Sequence, residues 1–231
     1  MAMSQPTSRS QIRIVIVEDH VLFAESLELA LTVEGYDVRR MTVPDNGNAP
    51  GTMIAAVVRQ RPRIVLLDLD LGRFGDGLRM VAPLAKAGIN VVVVTASSER
   101  PRWGEALRYG ARTVLSKSRP LNDILAAVRR ITHGLPVMDV EEREELLRLW
   151  HQRRAELADL ERRLDLLTPR EAQVLGHLME GHTVHDIATL SVVSEATVRT
   201  QVKSILAKLE VSSQIAAVGM AHHVGWRQPS G

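Results

Sequence analysis

The first half of the chain alternates short apolar runs with longer segments of mixed polarity. Runs rich in β-branched residues occupy Ile12–Val17, Arg63–Leu67, Asn90–Thr95 and Arg112–Leu115, with a weaker one at Asp37–Thr42. Each is apolar throughout or nearly so, the mark of a strand covered on both faces. Between them lie helix-length segments at His20–Glu34, Thr52–Gln60, Gly77–Ala87, Glu99–Tyr109 and Leu121–Thr132. Five strands alternating with five helices predict an α/β fold, a doubly wound five-stranded parallel sheet with helices on both faces. The stretch Pro44–Gly51 is dense in turn formers and reads as an extended surface loop.

Gly134 and Pro136 close this half. From Val140 to Leu167 there is no Gly or Pro, and Leu146, Trp150, Leu157, Leu160, Leu164 and Leu167 fall at heptad a and d positions, with Arg153 at the one polar d. This predicts a long linker helix with a narrow apolar seam. The seam could pair with a second copy of the chain to give a homodimer, or rest on the chain's own domains. The remainder is helical by pattern. Thr168-Pro169-Arg170-Glu171 combines an N-cap, a proline at the first helical position and a capping-box glutamate. Gly181 ends that helix, Thr183–Leu190 is a second, Ser194 opens a third running to Glu210, and Ser212 or Ser213 begins a fourth. The expected organisation is a domain at 11–133, a linker helix at 134–165 and an all-α four-helix domain at 166–226.

A chain of 231 residues accommodates two such domains. It has no cysteine, which excludes disulfides, thiolate zinc sites and cysteine nucleophiles. No apolar run reaches bilayer-spanning length, so no membrane partner is expected. Met1–Gln11 is polar and lacks the apolar core of a signal peptide, and the expected location is the cytoplasm. The net charge of +2 is too small to argue for nucleic acid. Beyond Leu166, Arg170, Arg199, Lys203, Lys208 and Arg227 are matched by Glu171, Glu180, Asp186, Glu195 and Glu210, so any nucleic-acid surface must be local.

In a doubly wound sheet, ligands bind beyond the carboxyl ends of the strands. Glu18-Asp19 follows the first predicted strand, Asp68 the third, Thr95 ends the fourth, and Ser116-Lys117 follows the fifth. Carboxylates gathered there repel one another, and a hard divalent cation such as Mg²⁺ relieves that. An aspartate beside such a cation can act as nucleophile and form an aspartyl phosphate. Thr95 and Lys117 are placed to supply the hydroxyl and the positive charge that the phosphoryl oxygens need.

With these residues in place, the segment Gln11–Thr132 resembles the flavodoxin-like receiver domain of two-component response regulators. The resemblance implies Asp68 as phosphoacceptor, Thr95 as switch hydroxyl and Lys117 as phosphate-binding lysine. It implies Mg²⁺ as cofactor, held by Glu18, Asp19, Asp68 and a backbone carbonyl of Asp70. A cognate sensor histidine kinase would be the donor. Three positions depart from the family: Gly72 stands where a proline is usual, Gly77 lies nine rather than eight residues after Asp68, and Val114 replaces the switch aromatic. The resemblance therefore leaves the signalling step from Thr95 open.

Residues Leu167 to about Ala221 resemble the LuxR-type helix-turn-helix domain, through Leu167-Thr-Pro-Arg-Glu171, Val174-Leu175, Gly181, Asp186-Ile187-Ala188, the run Val193–Val202, Ile205-Leu206 and Lys208-Leu209. The two resemblances together indicate the NarL/FixJ family, a regulator rather than an enzyme. Ser194–Glu210 would be the recognition helix, lying in the major groove of double-stranded DNA. Val198, Val202, Ile205, Leu206 and Leu209 form its buried stripe. Ser194, Thr197, Arg199, Thr200, Gln201 and Lys203 are the candidate DNA-binding residues. Arg199 and Lys203 lie one turn apart and could reach guanine edges or phosphates. His177, His182 and His185 lack a recognised ligand spacing and read as surface residues, as do His222 and His223.

The expected function is a two-component response regulator in which phosphorylation of Asp68 controls sequence-specific DNA binding and transcription. An alternative keeps DNA binding but replaces phosphorylation by dimerisation, a ligand or a protein partner. A third, a phosphatase of the haloacid dehalogenase type, draws on Asp68-Leu-Asp70, Thr95 and Lys117, but in that family the nucleophile lies on the first strand.

Overall fold

The computed structural model of the chain describes residues 9–44 and 50–228. Most of the loop predicted at Pro44–Gly51 lies outside the described residues. The chain divides into two compact units, residues 1–151 and 152–231. Among the described residues, no helix is long and apolar enough to cross a membrane.

Among its described residues the first unit holds five strands, β1 (Arg13–Val17), β2 (Asp37–Met41), β3 (Ile64–Leu67), β4 (Asn90–Thr95) and β5 (Thr113–Ser116). Its helices are α1 (Val21–Val33), α2 (Pro50–Arg59), α3 (Leu78–Lys86), α4 (Arg100–Arg108) and α5 (Leu121–Thr132). All strand pairs are parallel, in the order β2-β1-β3-β4-β5. Strand side chains alternate between faces. Val15, Val17, Val65, Leu67, Val91 and Val93 face α2, α3 and α4 in one core, whereas Ile14, Ile16, Ile64, Leu66, Val92 and Val94 face α1 and α5 in the other. Both faces are covered, which is why these strands read as unbroken apolar runs. Strand β2, at one edge, is the exception: its Arg39 and Arg40 are exposed, and pair with Asp37 at 3.3 Å and Glu28 at 2.7 Å.

Helix α6 (Val140–Asp165) is shared between the units. Its first part packs on α4 at unusually close range. A Cβ on Gly104 would lie 2.0 Å from the Leu146 carbonyl oxygen and 2.9 Å from the Trp150 Cβ, so only glycine permits this approach. Leu146 is fully buried in the core that holds α4, the Arg108 guanidinium lies 5.9 Å from the Trp150 ring, and Arg100 pairs with Glu145 at 3.0 Å. At the other end Leu164 is buried in the core of the second unit. Two of the predicted seam leucines are thus taken up inside their own units.

The second unit contains α7 (Pro169–Met179), α8 (Val184–Leu190), α9 (Glu195–Leu209) and α10 (Gln214–His223). Leu164, Val174, Leu175, Ile187, Val198, Val202, Ile205, Leu209, Ala217 and Ala221 form one core, against which Leu206 packs partly buried. The side chains of Thr168, Thr183, Ser194 and Ser213 cap α7, α8, α9 and α10, each accepting the amide three residues on.

Candidate functional site

Strand register builds the acidic pocket. Val17 pairs with Leu67 across β1 and β3, and the Asp68 amide donates to the Val17 carbonyl at 3.0 Å, so Glu18 and Asp68 leave adjacent strands side by side. Strand β5 delivers the lysine in the same way: the Lys117 amide donates to the Thr95 carbonyl at 2.8 Å. The Lys117 ammonium then bridges both acids, 2.6 Å from Glu18 Oε2 and 2.7 Å from Asp68 Oδ2. The Phe23 ring lies 5.1 Å from the same ammonium. Asp68 is 2% exposed and Glu18 8%. Burial pushes the Glu18 carboxyl above its ordinary range despite its contact with Lys117. Burial alone would lower Lys117, but its bonds to Asp68 and Glu18 outweigh that and hold it above the usual lysine value, as an ammonium.

Asp19 is half-buried at the rim. Oxygens of Glu18, Asp19 and Asp68 and a nitrogen of His20 lie within 4.8 Å of one another. His20 joins this group although no motif in the sequence singles it out. Its Nδ1 stands 3.0 Å from Asp19 Oδ1 and 3.2 Å from Glu18 Oε1, and its place directly after the acidic pair was the available signal. Three convergent carboxylates with only one ammonium among them fit a hard, oxygen-seeking cation such as Mg²⁺. The Asp70 side chain is exposed and accepts the Gly72 amide at 3.3 Å, outside this carboxylate group.

The loop after Asp68 explains two of the sequence departures. Gly72 has φ +56°, which proline cannot adopt, and a Cβ there would meet Asp19 Oδ2 at 2.8 Å. Gly77 has an ordinary φ of −62°, but its Cβ would lie 2.1 Å from the Asp68 carbonyl oxygen. Asp76, which precedes Gly77 in this loop, pairs with Arg102 of α4 at 2.8 Å.

Thr95 is fully buried and Val114 is 4% exposed. The Thr95 hydroxyl accepts the Ser97 amide at 3.1 Å, and the Ser97 carbonyl accepts Trp103 Nε1 of α4 at 2.9 Å. An aromatic side chain is therefore linked to Thr95, though from α4 rather than β5.

In the second unit, Thr197, Arg199, Thr200 and Lys203 are exposed along α9. Arg199 is held by Glu195 at 2.9 Å, and the Thr200 hydroxyl donates to the Ala196 carbonyl at 2.9 Å. Ser194 is engaged as the cap and bonds Thr197 Oγ1 at 2.9 Å. Gln201 differs from the other candidates: it is half-buried, and its Oε1 is buried without a hydrogen-bond partner among the described residues. Glu171 does more than cap α7. It is 7% exposed and accepts from Ser204 Oγ at 2.5 Å and Lys208 Nζ at 2.6 Å on α9, as well as from the Thr168 amide at 2.7 Å. Burial would raise its pKa, but the bonds from Lys208, Ser204 and Thr168 prevail and bring it down to about 2.

Two family descriptions match the chain: the response regulator receiver domain over residues 14–129, and the bacterial regulatory proteins of the luxR family over residues 165–221. Similar proteins along nearly the whole chain include the transcriptional regulatory protein DesR of Bacillus subtilis, 25% identical over 93% of this chain and 98% of that one. The response regulator protein VraR of Staphylococcus aureus is 29% identical over 90% of this chain and 94% of its own length. A solved structure of the RcsB response regulator of Salmonella typhimurium, 19% identical, covers 92% of this chain and 100% of that one with a TM-score of 0.52, a likeness of fold.

Proposed function

Because the chain belongs to the response regulators that join a receiver to a LuxR-type DNA-binding domain, transcription factors rather than enzymes, we propose that it is switched by phosphorylation of Asp68. The observation that carries this reading is the Lys117 ammonium seated between Glu18 and Asp68 at the carboxyl edge of the sheet. A cognate histidine kinase, acting in the cytoplasm, is the proposed donor.

The Asp68 carboxylate is oriented before reaction. Its Oδ1 accepts the Asp70 amide at 3.2 Å and its Oδ2 holds Lys117. A carboxylate oxygen attacks the phosphorus of a phosphohistidine, the P–N bond breaks, and the imidazole departs with the bonding pair. Lys117 then moves from the carboxylate to a phosphoryl oxygen, and the Thr95 hydroxyl leaves the Ser97 amide to donate to another. Asp19 and Asp68, with Glu18 and the Asp70 carbonyl, would hold Mg²⁺, which supplies positive charge against the phosphoryl oxygens. Withdrawing the Thr95 hydroxyl frees Ser97, and Trp103 on α4 follows. This route bypasses the buried Val114 and ends where α6 lies on α4.

The proposed division is a receiver at 11–133, a linker helix at 134–165 and a DNA-binding domain at 166–226. In the last, α9 enters the major groove with Arg199, Lys203, Thr197 and Thr200 outward, and a homodimer reads paired half-sites. Two measurements test the reading. Asp68→Asn should abolish phosphoryl uptake from acetyl phosphate with Mg²⁺, and DNA affinity of the unaltered chain should rise with the phosphodonor. Uptake unchanged in the variant refutes the site. Uptake without any change in DNA affinity favours the alternative in which dimerisation, a ligand or a protein partner controls output.

A further inference from the structure

The corner between α7 and α8 holds a second group of metal-ligating side chains. Helix α7 ends in a Schellman turn: Gly181 has φ +85°, its amide donates to the Leu178 carbonyl at 3.1 Å, and the His182 amide donates to the His177 carbonyl at 3.0 Å. This turn brings the residues at its two ends together, and an apolar pair usually occupies them. Here both are histidines. Their rings meet edge to face with centroids 5.4 Å apart.

Both side chains are partly exposed, at 31% and 37%, but one ring nitrogen of each is not. Nδ1 of His177 and Nδ1 of His182 are each buried, and neither has a hydrogen-bond partner among the described residues. Both face one atom, Glu180 Oε2, at 3.4 Å from each. A charge-assisted hydrogen bond would close to about 2.7–2.9 Å. The equal, longer spacing also suits ligand atoms grouped around one ion, and all three lie within 4.8 Å of one another. With metal–ligand bonds of about 2.1 Å, the edge of a tetrahedron between two ligand atoms is about 3.4 Å. His185, the third histidine, takes no part: it is exposed and pairs with Glu195 at 3.0 Å.

We propose that His177, Glu180 and His182 form a binding site for a borderline divalent cation of the Zn²⁺ class, which clamps the α7–α8 corner of the second unit. Two imidazole nitrogens and one carboxylate select Zn²⁺, Co²⁺, Ni²⁺ or Cu²⁺ over Mg²⁺ and Ca²⁺, which take oxygen ligands. Three protein ligands leave a fourth position to water. The Schellman turn fixes the backbone of all three residues before any ion arrives.

The test uses the full chain with Co²⁺ as a visible-absorption probe, and Zn²⁺ in competition with a chromophoric chelator, both under excess Mg²⁺ to occupy the acidic pocket. One equivalent of Co²⁺ should give the intense band of a four-coordinate, nitrogen-ligated ion, and Zn²⁺ should displace it. His177→Leu and His182→Leu, which restore the apolar pair of the turn, should each weaken binding about 100-fold or more, since loss of even an outer-shell partner costs 10–100-fold. Glu180→Gln, at an exposed position, is a third variant that leaves the core untouched and should weaken binding as well. Absence of stoichiometric binding overturns the proposal. So does a band that survives all three variants, or one that disappears instead with Asp19→Asn in the acidic pocket.

Discussion

Replacing Glu171 by glutamine should uncouple the start of α7 from α9, with a loss that depends on pH in a defined way. The carboxylate accepts from Thr168, Ser204 and Lys208, and its pKa falls from 4.5 to about 2. A depressed carboxyl stabilises the fold fully above its ordinary value, and that stability is lost as pH falls towards the depressed value. The full shift corresponds to about 3 kcal/mol at neutral pH. Integrated over the titration, about 2 kcal/mol of it disappears between about pH 6 and about pH 3. Urea unfolding followed on the amide resonances of α7–α10 reads the second unit separately from the first. Other carboxyls titrate in the same window, so the comparison is between the chain and Glu171→Gln. At neutral pH the variant should be less stable by about 1–3 kcal/mol. As pH falls through the acid range the two stabilities should converge. Parallel pH profiles, with the gap unchanged at about pH 3, would refute the assignment of the stabilisation to the Glu171 charge.

Gly77→Ala has a compatible backbone φ, so its only cost is the 2.1 Å clash with the Asp68 carbonyl. It should destabilise the first unit by about 1–3 kcal/mol and impair phosphoryl uptake from acetyl phosphate; normal uptake would remove the steric argument. Lys203→Ala should weaken binding to any DNA sequence and lower the salt dependence by about one unit of slope, whereas Arg199→Ala should cost about 1–3 kcal/mol and relax sequence preference. Filter binding at several salt concentrations separates the two, and no effect of either would displace α9 from the DNA. Trp103→Phe keeps the ring but loses the bond to the Ser97 carbonyl. Phosphoryl uptake should persist while the DNA response to phosphodonor shrinks, and an intact response would send the signal by another route.

Much of the architecture is legible in the sequence. Strands buried on both faces announce themselves as Ile-Val-Leu-Leu or Val-Val-Val-Val, and the polar residue that follows each is confined to one sheet edge. Caps such as Thr168 and Ser194 are local, so their spacing is sufficient. The weak signal at β2 has a cause in its exposed arginines. What escaped depends on partners distant in sequence. Ser204 and Lys208 stand 33 and 37 residues from Glu171, and no local pattern joins them. Gly104 looks like an ordinary helix glycine until α6 lies on it. The two histidines of the Schellman turn are five residues apart, a separation with no ligand signature along a helix, and only the turn makes them neighbours. Gln201 looks outward by its place beside Thr200, yet its carbonyl oxygen faces in.

The contact of α6 with α4 also bears on competition for that helix. The first part of α6 is tethered to α5 by the short stretch 133–139, so its local concentration at α4 is on the order of millimolar. A free helix of equal intrinsic affinity would need a similar concentration to displace it. Weak encounters are thereby screened out without any repulsive charge, and the close fit at Gly104 sharpens the screen. The face of α4 answers to a partner that binds more tightly than its own tether, or to a movement of α4 itself.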